Sequence, residues 1–525
     1  MLVPIRINAR VRTHFRRGLW GLAILGGAAL IPTAGFAEPD HTTYVIRTSA
    51  IDTSTVQAIE AAGGVIDHFD GNGTRAYILQ EHWNAFLATG IVYTLESMQP
   101  IPEKQRSAYP SYAELTTYLT NVANANPTLC RLISIGQSVQ GREIWALQIT
   151  DQPGTDEDEP EFAYLSTMHG DETVGTVLCL NFIDYLLENF GQSDEITARI
   201  NETEIWILPL LNPDGYEMGI RWNANNADLN RVFPEWPLHF RGNIASEGSP
   251  DTAGRQPEVA ALMNWSVENS INLSANYHGG ALVANYPYDE IPGIPSGVEA
   301  PTTEDALLAS LASSYADRNP PMLASPTFPG GITNGSAWYS VSGGMGDWHY
   351  RYTGTIDMTL EVSNIKNPAG NTLNTFWDDN RDAMLDYLAR VHQGIRGGVR
   401  DKKTNAALLA SIYVDNNPQP TFSDADQGDY HRLLLPGTYS IRAEAPGYIP
   451  YTMTNLVVTE NTQPRADLPL STGDINDDNV VDALDLQLLV NVILGRSEDP
   501  AADVDGNGVS ATDLQHLVNR ILGRL

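Results

Sequence analysis

The chain has 525 residues, with 31 basic and 64 acidic side chains and a formal net charge of −33. A chain of this length is expected to hold three or more domains around a sizeable core. So negative a surface argues against nucleic acid and anionic lipid as partners. The two cysteines, Cys130 and Cys179, exclude a fold built on a disulfide network, and the sequence leaves open whether they pair or stay free.

Residues 1–37 have the pattern of a secretory signal peptide. Five arginines precede an apolar run from Leu19 to Ile31, and the segment closes on the small-x-small site Gly35-Phe36-Ala37. We therefore expect a secreted protein, extracellular or periplasmic; the Arg16-Arg17 pair raises twin-arginine export as a weaker alternative. Without its leader the chain would carry 26 basic and 64 acidic residues, a net charge near −38. No other apolar segment is long enough to form a transmembrane anchor.

Residues 38–108 are expected to form a separate N-terminal domain. Between 42 and 98 the pattern alternates strand, helix, strand, strand, helix and strand, with the last strand at Ile91–Leu95, which is typical of a ferredoxin-like α+β unit. A polar linker follows, and its Lys104 and Arg106 would suit a processing protease. Two interpretations remain open: an inhibitory propeptide that assists folding, or a permanent domain.

Residues 109–396 alternate apolar strands with amphipathic helices, which predicts an α/β domain. The expected strands are 132–135, 144–149, 162–167, 204–210, 271–277 and 355–362, and the expected helices are 111–126, 172–189, 258–269, 304–318 and 374–395. Polar residues stand where several of these strands end. Open α/β sheets place their sites at such ends.

The remaining chain divides into two small modules. Residues 397–471 hold short alternating runs broken by Pro and Gly, which predicts a β-sandwich. Residues 472–525 repeat an acidic loop and an amphipathic helix, which predicts a small helical module that binds one or two Ca²⁺ ions. The candidate oxygen ligands are Asp474, Asn476, Asp478, Asp482 and Asp485 in the first loop, and Asp503, Asp505, Asn507 and Asp513 in the second, shorter loop. Acidic residues that are only solvated would not be expected to repeat at the same spacing in both loops.

A candidate zinc site combines residues that are far apart in the chain. His169 and Glu172 follow the expected strand at 162–167, and His278 ends the strand at 271–277. Two imidazoles and a carboxylate, with one position left for water, are a typical catalytic zinc set. Glu361 lies on a strand whose Ile356, Met358 and Leu360 share the opposite, apolar face, and it is the candidate general base. A salt-bridged structural glutamate is the less favoured interpretation of Glu361.

These residues fall within a set of ordered motifs that resembles a known family. The motifs are His169-x-x-Glu172, Leu211-Asn-Pro-Asp-Gly215, Arg221, Asp228-Leu-Asn-Arg231, Tyr277-His-Gly-Gly280, Tyr339 to Met345 with Asp347-Trp348, and Glu361. From about 112 to 395 the chain resembles the zinc metallocarboxypeptidases (funnelins), and more closely their carboxypeptidase N/E branch. The resemblance implies a mixed central sheet flanked by helices and one catalytic Zn²⁺ held by His169, Glu172 and His278.

The same resemblance implies roles for further side chains. Glu361 would act as general base and then general acid, and Arg221 would stabilise the tetrahedral oxyanion. Asn230, Arg231 and Tyr339 would hold the terminal carboxylate of the substrate, for which a planar guanidinium is a natural anchor. Asp228 would orient a zinc-binding histidine.

Asp289 matches the acid with which the N/E branch selects a C-terminal Arg or Lys. Two positions depart from that branch: Gly346 stands where Gln is usual, and Val232 stands where Asn is usual. A solvated loop acid is the competing interpretation of Asp289. The ferredoxin-like domain is also atypical of the branch.

Both C-terminal modules resemble known domains. Gly428-Asp-Tyr and Ala445-Pro-Gly-Tyr resemble the transthyretin-like domain that follows N/E catalytic domains. The acidic repeat resembles a dockerin, which implies calcium-dependent folding and a cohesin-type partner on a scaffold or cell envelope.

The sequence therefore predicts a secreted zinc carboxypeptidase that acts on the C-termini of peptides or proteins, with a preference for basic residues. Two alternatives remain: a carboxypeptidase of hydrophobic or cell-wall peptide termini, and a non-catalytic protein that only binds peptides. The four intact residues His169, Glu172, His278 and Glu361 argue against the second.

Overall fold

A computed structural model describes residues 40–50, 52–70, 73–100, 109–235, 252–460, 462–476, 478 and 480–524. The leader at 1–37, linker residues Lys104 and Arg106, and Asn479 of the first acidic loop lie outside the described residues. Among the described residues, no helix combines the length and hydropathy that crossing a bilayer requires. Cys130 and Cys179 are both buried free thiols, so they do not form a disulfide with each other.

The first described domain is ferredoxin-like, as expected. Its elements are β1 (Thr43–Thr48), α1 (Thr53–Ala61), β2 (Val65–Asp70), β3 (Gly73–Leu79), α2 (Trp83–Ala88) and β4 (Thr94–Gln99). The strands form an antiparallel sheet in the order β2-β3-β1-β4. The last strand was predicted too early: pairing with β1 starts at Thr94, and Tyr93 packs against Trp83 and Phe86 of α2.

A mixed sheet of eight strands forms the central domain, which confirms the predicted α/β class. Its strands are β5 (Cys130–Gln137), β6 (Glu143–Ile149), β7 (Glu161–Ser166), β8 (Glu204–Leu208), β9 (Leu273–His278), β10 (Leu282–Tyr286), β11 (Ile332–Asn334) and β12 (Ile356–Val362). They lie in the order β11-β10-β12-β9-β7-β8-β6-β5. The neighbours β12, β9, β7 and β8 run parallel to one another.

Helices cover both faces of this sheet. They are α3 (Tyr112–Ala125), α4 (Val174–Asn189), α5 (Asp194–Asn201), α6 (Pro213–Met218), α7 (Pro257–Glu268), α8 (Asp305–Ala316), α9 (Pro320–Leu323), α10 (Gly335–Trp338), α11 (Met345–Trp348) and α12 (Leu373–Ala389). One core lies between the sheet and helices α3, α4, α8 and α12, and a second lies between the sheet and α7. Burial on both faces explains why the central strands are continuously apolar.

The helix expected at 374–395 was predicted too long. It ends at Ala389, and Ile395 already opens the next strand. Gly394 has a φ of +112°, and a Cβ there would lie 2.0 Å from the Arg432 carbonyl oxygen. Only glycine fits this turn, which separates the α/β domain from the module that follows.

The expected β-sandwich consists of a three-stranded and a four-stranded sheet. Its strands are β13 (Ile395–Asp401), β14 (Ser411–Val414), β15 (Thr421–Phe422), β16 (Asp429–Arg432), β17 (Gly437–Glu444), β18 (Tyr451–Val458) and β19 (Leu468–Leu470). The sheets have the orders β16-β13-β19 and β15-β14-β17-β18. Helices α13 (Ala483–Ile493) and α14 (Ala511–Ile521) follow the two acidic loops and share one small core.

Candidate active site

Three parallel strands bring the predicted catalytic residues to one edge of the sheet. His169 follows β7, His278 is the last residue of β9, and Glu361 lies near the end of β12. In the register of the sheet Glu361 is the partner of His278 on the neighbouring strand. Because parallel strands end at the same edge, residues far apart in the chain meet there.

The three predicted zinc ligands converge on one point. His169 Nδ1 lies 3.0 Å from Glu172 Oε1, and His278 Nδ1 lies 2.8 Å from Glu172 Oε2. The two Nδ1 atoms are 3.2 Å apart. All three side chains are buried. Two imidazole nitrogens and a carboxylate at this separation are donors that suit Zn²⁺.

The outer ring nitrogens are already engaged. His169 Nε2 is 3.0 Å from Asp228 Oδ1, and His278 Nε2 is 2.9 Å from the Asn276 side-chain amide. Asn276 Oδ1 has no hydrogen-bond partner among the described atoms. A half-turn of the amide would let Oδ1 accept from His278 Nε2, an assignment that is made from the hydrogen-bond network. Both Nδ1 lone pairs are then free to bind a metal, so these residues fit a zinc ion.

The turn that carries His169 is strained and tightly packed. Thr167, a β-branched residue, has a φ of +55°, a conformation that costs on the order of 1–3 kcal/mol. Its hydroxyl donates to the Glu172 carbonyl oxygen at 3.0 Å and lies 2.8 Å from the Thr176 hydroxyl. A Cβ on Gly170 would lie 2.1 Å from the Gly215 backbone. The close approach of α6 therefore requires glycine in the His-Gly-Asp-Glu turn.

Charged neighbours hold Glu172 as a carboxylate. Burial alone would raise its pKa, but His169 and Lys366 bring that pKa well below its usual range. Lys366 Nζ lies 2.6 Å from Glu172 Oε1. Burial lowers the pKa of His278, which favours the neutral, ligating imidazole.

Glu361 faces the same cavity as the three converging residues. Its Oε2 is buried and has no hydrogen-bond partner among the described atoms. Burial and the neighbouring Glu172 raise its pKa well above the usual range. A carboxyl group with a raised pKa is suited to accept a proton and return it.

Arg221 and Arg231 also line this cavity. Arg221 is buried, and its Nε donates to Asp228 Oδ2 at 2.9 Å. Asp228 therefore contacts both Arg221 and His169. Asn230 and Tyr339 lie beside Arg231, whose guanidinium faces the cavity.

Asp289 lies in the same cavity and is buried. Burial raises its pKa to about 6, and Asp357 adds to the rise. Asn285 Nδ2 donates to Asp289 Oδ1 at 3.0 Å. A Cβ on Gly346 would lie 3.7 Å from Asp357 Oδ2, which is itself buried and without a partner among the described atoms. The glycine thus leaves space in front of a second buried carboxylate.

The ferredoxin-like domain enters this cavity through β2. Asp67 is buried beside Lys366 Nζ at 2.6 Å and Arg221 Nη1 at 3.3 Å. The Ile66 carbonyl oxygen accepts from Arg231 Nη2 at 3.1 Å. The guanidinium groups of the cavity therefore pair with a carboxylate and a carbonyl of this domain.

The sequence did not predict two residues of the site, Asp67 and Lys366. Asp67 belongs to another domain, and nothing in its local pattern marks it. Lys366 follows the candidate base Glu361 by a short loop, and this proximity was its only signal.

The acids of the two C-terminal loops differ in their arrangement. Carboxylate oxygens of Asp503, Asp505 and Asp513 lie within 4.8 Å of one another. In the first loop Asp485 is buried and accepts from the Ile475 and Asn476 amides, and Asp474 and Asn476 accept from the Asp478 amide. Asp482 caps α13 at the Leu484 amide.

The comparisons with known proteins agree with this architecture. The family model Zinc carboxypeptidase (Peptidase_M14) matches residues 115–383, and Dockerin type I domain matches residues 472–522. The catalytic chain of human carboxypeptidase N is 40% identical over 374 residues, which cover 65% of this chain and 81% of the relative. The chain therefore belongs to the zinc carboxypeptidase family, with a dockerin type I domain at residues 472–522.

Further relatives and structures extend the comparison. Carboxypeptidase D of Mus musculus is 38% identical over 410 residues, which are 74% of this chain but only 28% of that protein. The crystal structure of carboxypeptidase A from Helicoverpa armigera has a TM-score of 0.51 at 19% identity and covers 67% of this chain and 97% of its own. That likeness concerns the fold alone.

Asp228→Asn is expected to weaken zinc binding by about 10–100-fold, because the partner that orients His169 loses its charge. Competition with a chelator of known affinity measures the change. Asp214→Asn is the matched control, since Asp214 is equally buried but pairs with Arg142 outside the site. Equal zinc affinity in both variants would contradict the orienting role of Asp228.

Proposed function

We propose that the protein is a secreted zinc metallocarboxypeptidase that hydrolyses the C-terminal peptide bond of peptides or proteins. The observation that carries this proposal is the convergence of His169, Glu172 and His278, with Glu361 on the adjacent strand and Arg231 facing the same cavity. The expected leader at 1–37 supports secretion.

In the proposed mechanism each side chain acts at a defined atom. Bound Zn²⁺ would polarise the scissile carbonyl and acidify the attacking water. Glu361 takes the proton of that water and returns it to the leaving amine. Arg221 stabilises the developing oxyanion. The terminal carboxylate of the substrate is held by Arg231, Asn230 and Tyr339, which makes the enzyme an exopeptidase.

Glu361→Gln is expected to lower kcat by about 10²–10⁴-fold, because the amide cannot accept the proton. Substrate binding should persist, so hydrolysis and binding of a C-terminal peptide are measured separately. Glu258→Gln, a buried glutamate outside the cavity, is the control. Binding without turnover in the wild-type protein, insensitive to a zinc chelator, would instead favour the non-catalytic alternative.

A preference for C-terminal Arg or Lys is the favoured specificity. Asp289 is a buried carboxylate that lines the cavity, and Arg231, the proposed anchor of the substrate carboxylate, is the cation that acts on it electrostatically. A cationic substrate side chain would add a positive charge for Asp289 to pair with. A hydrophobic terminus would leave Asp289 desolvated and unpaired, which is costly.

Asp289→Asn should lower kcat/KM for peptides ending in Arg by on the order of 100-fold, because a buried charge pair is lost. The value for peptides ending in Phe should change little. Since the pKa of Asp289 is about 6, the preference for Arg over Phe should also weaken as the pH falls below that value. If the wild type prefers Phe or Ala, the proposed role of Asp289 is wrong but the mechanism is not.

We also propose that residues 38–108 are an inhibitory propeptide. Asp67 and the Ile66 carbonyl occupy the groups that would bind the oxyanion and the substrate carboxylate. Phe69 packs edge-on against Tyr339, and the Phe69 carbonyl accepts from Trp338 Nε1 at 3.0 Å. The first domain and a substrate would therefore exclude each other.

Cleavage in the linker at Lys104 or Arg106 is expected to raise activity on the order of tenfold or more. While the first domain occupies the cavity, only a small fraction of the molecules can bind substrate. Asp67→Asn should raise the activity of the uncleaved chain by weakening its contacts with Arg221 and Lys366. Asp52→Asn, in the same domain but outside the cavity, is the control. Unchanged activity after cleavage would favour a permanent domain.

For the C-terminal modules we propose supporting roles. The β-sandwich is transthyretin-like, in keeping with the Gly428-Asp-Tyr and Ala445-Pro-Gly-Tyr motifs. The dockerin domain binds one or two Ca²⁺ ions through its acidic loops and attaches the enzyme to a cohesin-type partner. The convergence of Asp503, Asp505 and Asp513 supports a site in the shorter second loop.

A further inference from the structure

A second group of potential metal ligands lies where the α/β domain meets the β-sandwich. Asp158 belongs to the loop that precedes β7, and Asp429 and His431 belong to β16. One ligand atom of each lies within 4.8 Å of the others. Proximity of acidic residues alone does not indicate a metal site. The stronger indication is whether the buried polar atoms of the group lack hydrogen-bond partners.

His431 is buried without hydrogen bonds. Its side chain is 1% exposed, and neither ring nitrogen has a hydrogen-bond partner among the described atoms. Buried polar groups in native proteins almost always have a partner, and a buried donor or acceptor without one costs on the order of 1–3 kcal/mol. The described polypeptide therefore supplies no partner for this buried imidazole, and a bound ion would supply one.

The two carboxylates face this imidazole at distances too long for hydrogen bonds. His431 Nε2 lies 3.5 Å from Asp429 Oδ2 and 4.0 Å from Asp158 Oδ1. Ligand atoms around one tetrahedral Zn²⁺ lie roughly 3.4 Å apart, given bonds of about 2.0–2.1 Å. Asp429 Oδ1 and Asp158 Oδ1 are likewise buried without partners among the described atoms. The separation between His431 and Asp429 is that of neighbouring zinc ligands, and Asp158 would move closer to complete the coordination shell.

We propose that Asp158, Asp429 and His431 form a second metal site, which binds a divalent transition ion such as Zn²⁺ and joins the α/β domain to the β-sandwich. The imidazole nitrogen favours such an ion over Ca²⁺, which prefers oxygen ligands alone. Asp156, Glu161 and Glu204 form another group of acids, and Asp429 interacts electrostatically with Asp156 and Glu161.

The surroundings of Asp158 fit this role. Its Oδ2 accepts from Arg465, and Arg396 lies 4.0 Å from its Oδ1. The arginines hold the loop in place, and Oδ1 lies 4.0 Å from both Arg396 Nη1 and His431 Nε2. The Asp158 side chain is 38% exposed, so an ion has a path from solvent. The competing arrangement is a protonated His431 between two carboxylates, without metal.

Zinc stoichiometry tests the proposal on the full chain. Protein stripped by a chelator is dialysed against zinc, with calcium in excess to fill the C-terminal loops, and metal is counted by mass spectrometry. The wild type should bind about two zinc ions, and His431→Gln about one. His169→Ala should also bind about one, and the double variant none. His431→Gln should keep its peptidase activity, which separates this proposal from the catalytic one.

His392→Gln is the matched control. His392 lies near His431 but bonds Thr203 through Nε2 at 2.7 Å, so this variant should still bind two ions. Asp158→Asn, at a partly exposed position, tests the site should His431→Gln fail to fold. Zinc should also raise the Tm of His169→Ala, but not that of the double variant. A wild type that binds one ion, or variants of His431 and Asp158 that bind two, would overturn the proposal.

Discussion

The parallel pairing of β7, β9 and β12 is the constraint on which the site depends. Each strand delivers one functional group to the same edge of the sheet, and Glu361 is the register partner of His278. A slip of one residue in β9 or β12 would turn His278 or Glu361 to the other face of the sheet. These strands are buried on both faces, so the packing of the core also determines the geometry of the cavity.

Charge balance shapes the cavity as much as its ligands do. Buried carboxylates at Asp67, Glu172 and Asp228 face Arg221 and Lys366, and each ion is stabilised by neighbours of opposite sign. Buried charges persist only when they are paired in this way. Removing the ferredoxin-like domain would take Asp67 away and leave the cavity more positive, which suits the carboxylate terminus of a peptide.

The motifs made His169, Glu172, His278 and Glu361 predictable, because they lie at or shortly beyond the ends of buried strands. Asp67 was not predictable, since its role arises only when two separate domains dock. Strand boundaries also depended on tertiary contacts: Tyr93 has a strand-like side chain but packs on Trp83 and Phe86 of α2 instead. The short strands β10 and β11 escaped notice because their sequences lack a long apolar run.

The left-handed backbone of Thr167 has a further consequence for how this protein could change. A glycine or asparagine there would relieve the strain in the backbone. Such a replacement would also remove the hydroxyl that fastens the loop between the two metal-facing residues His169 and Glu172. An unstrained backbone and precise ligand placement therefore oppose each other at this position, and the strain is retained together with the hydrogen bonds that set the geometry of the catalytic centre.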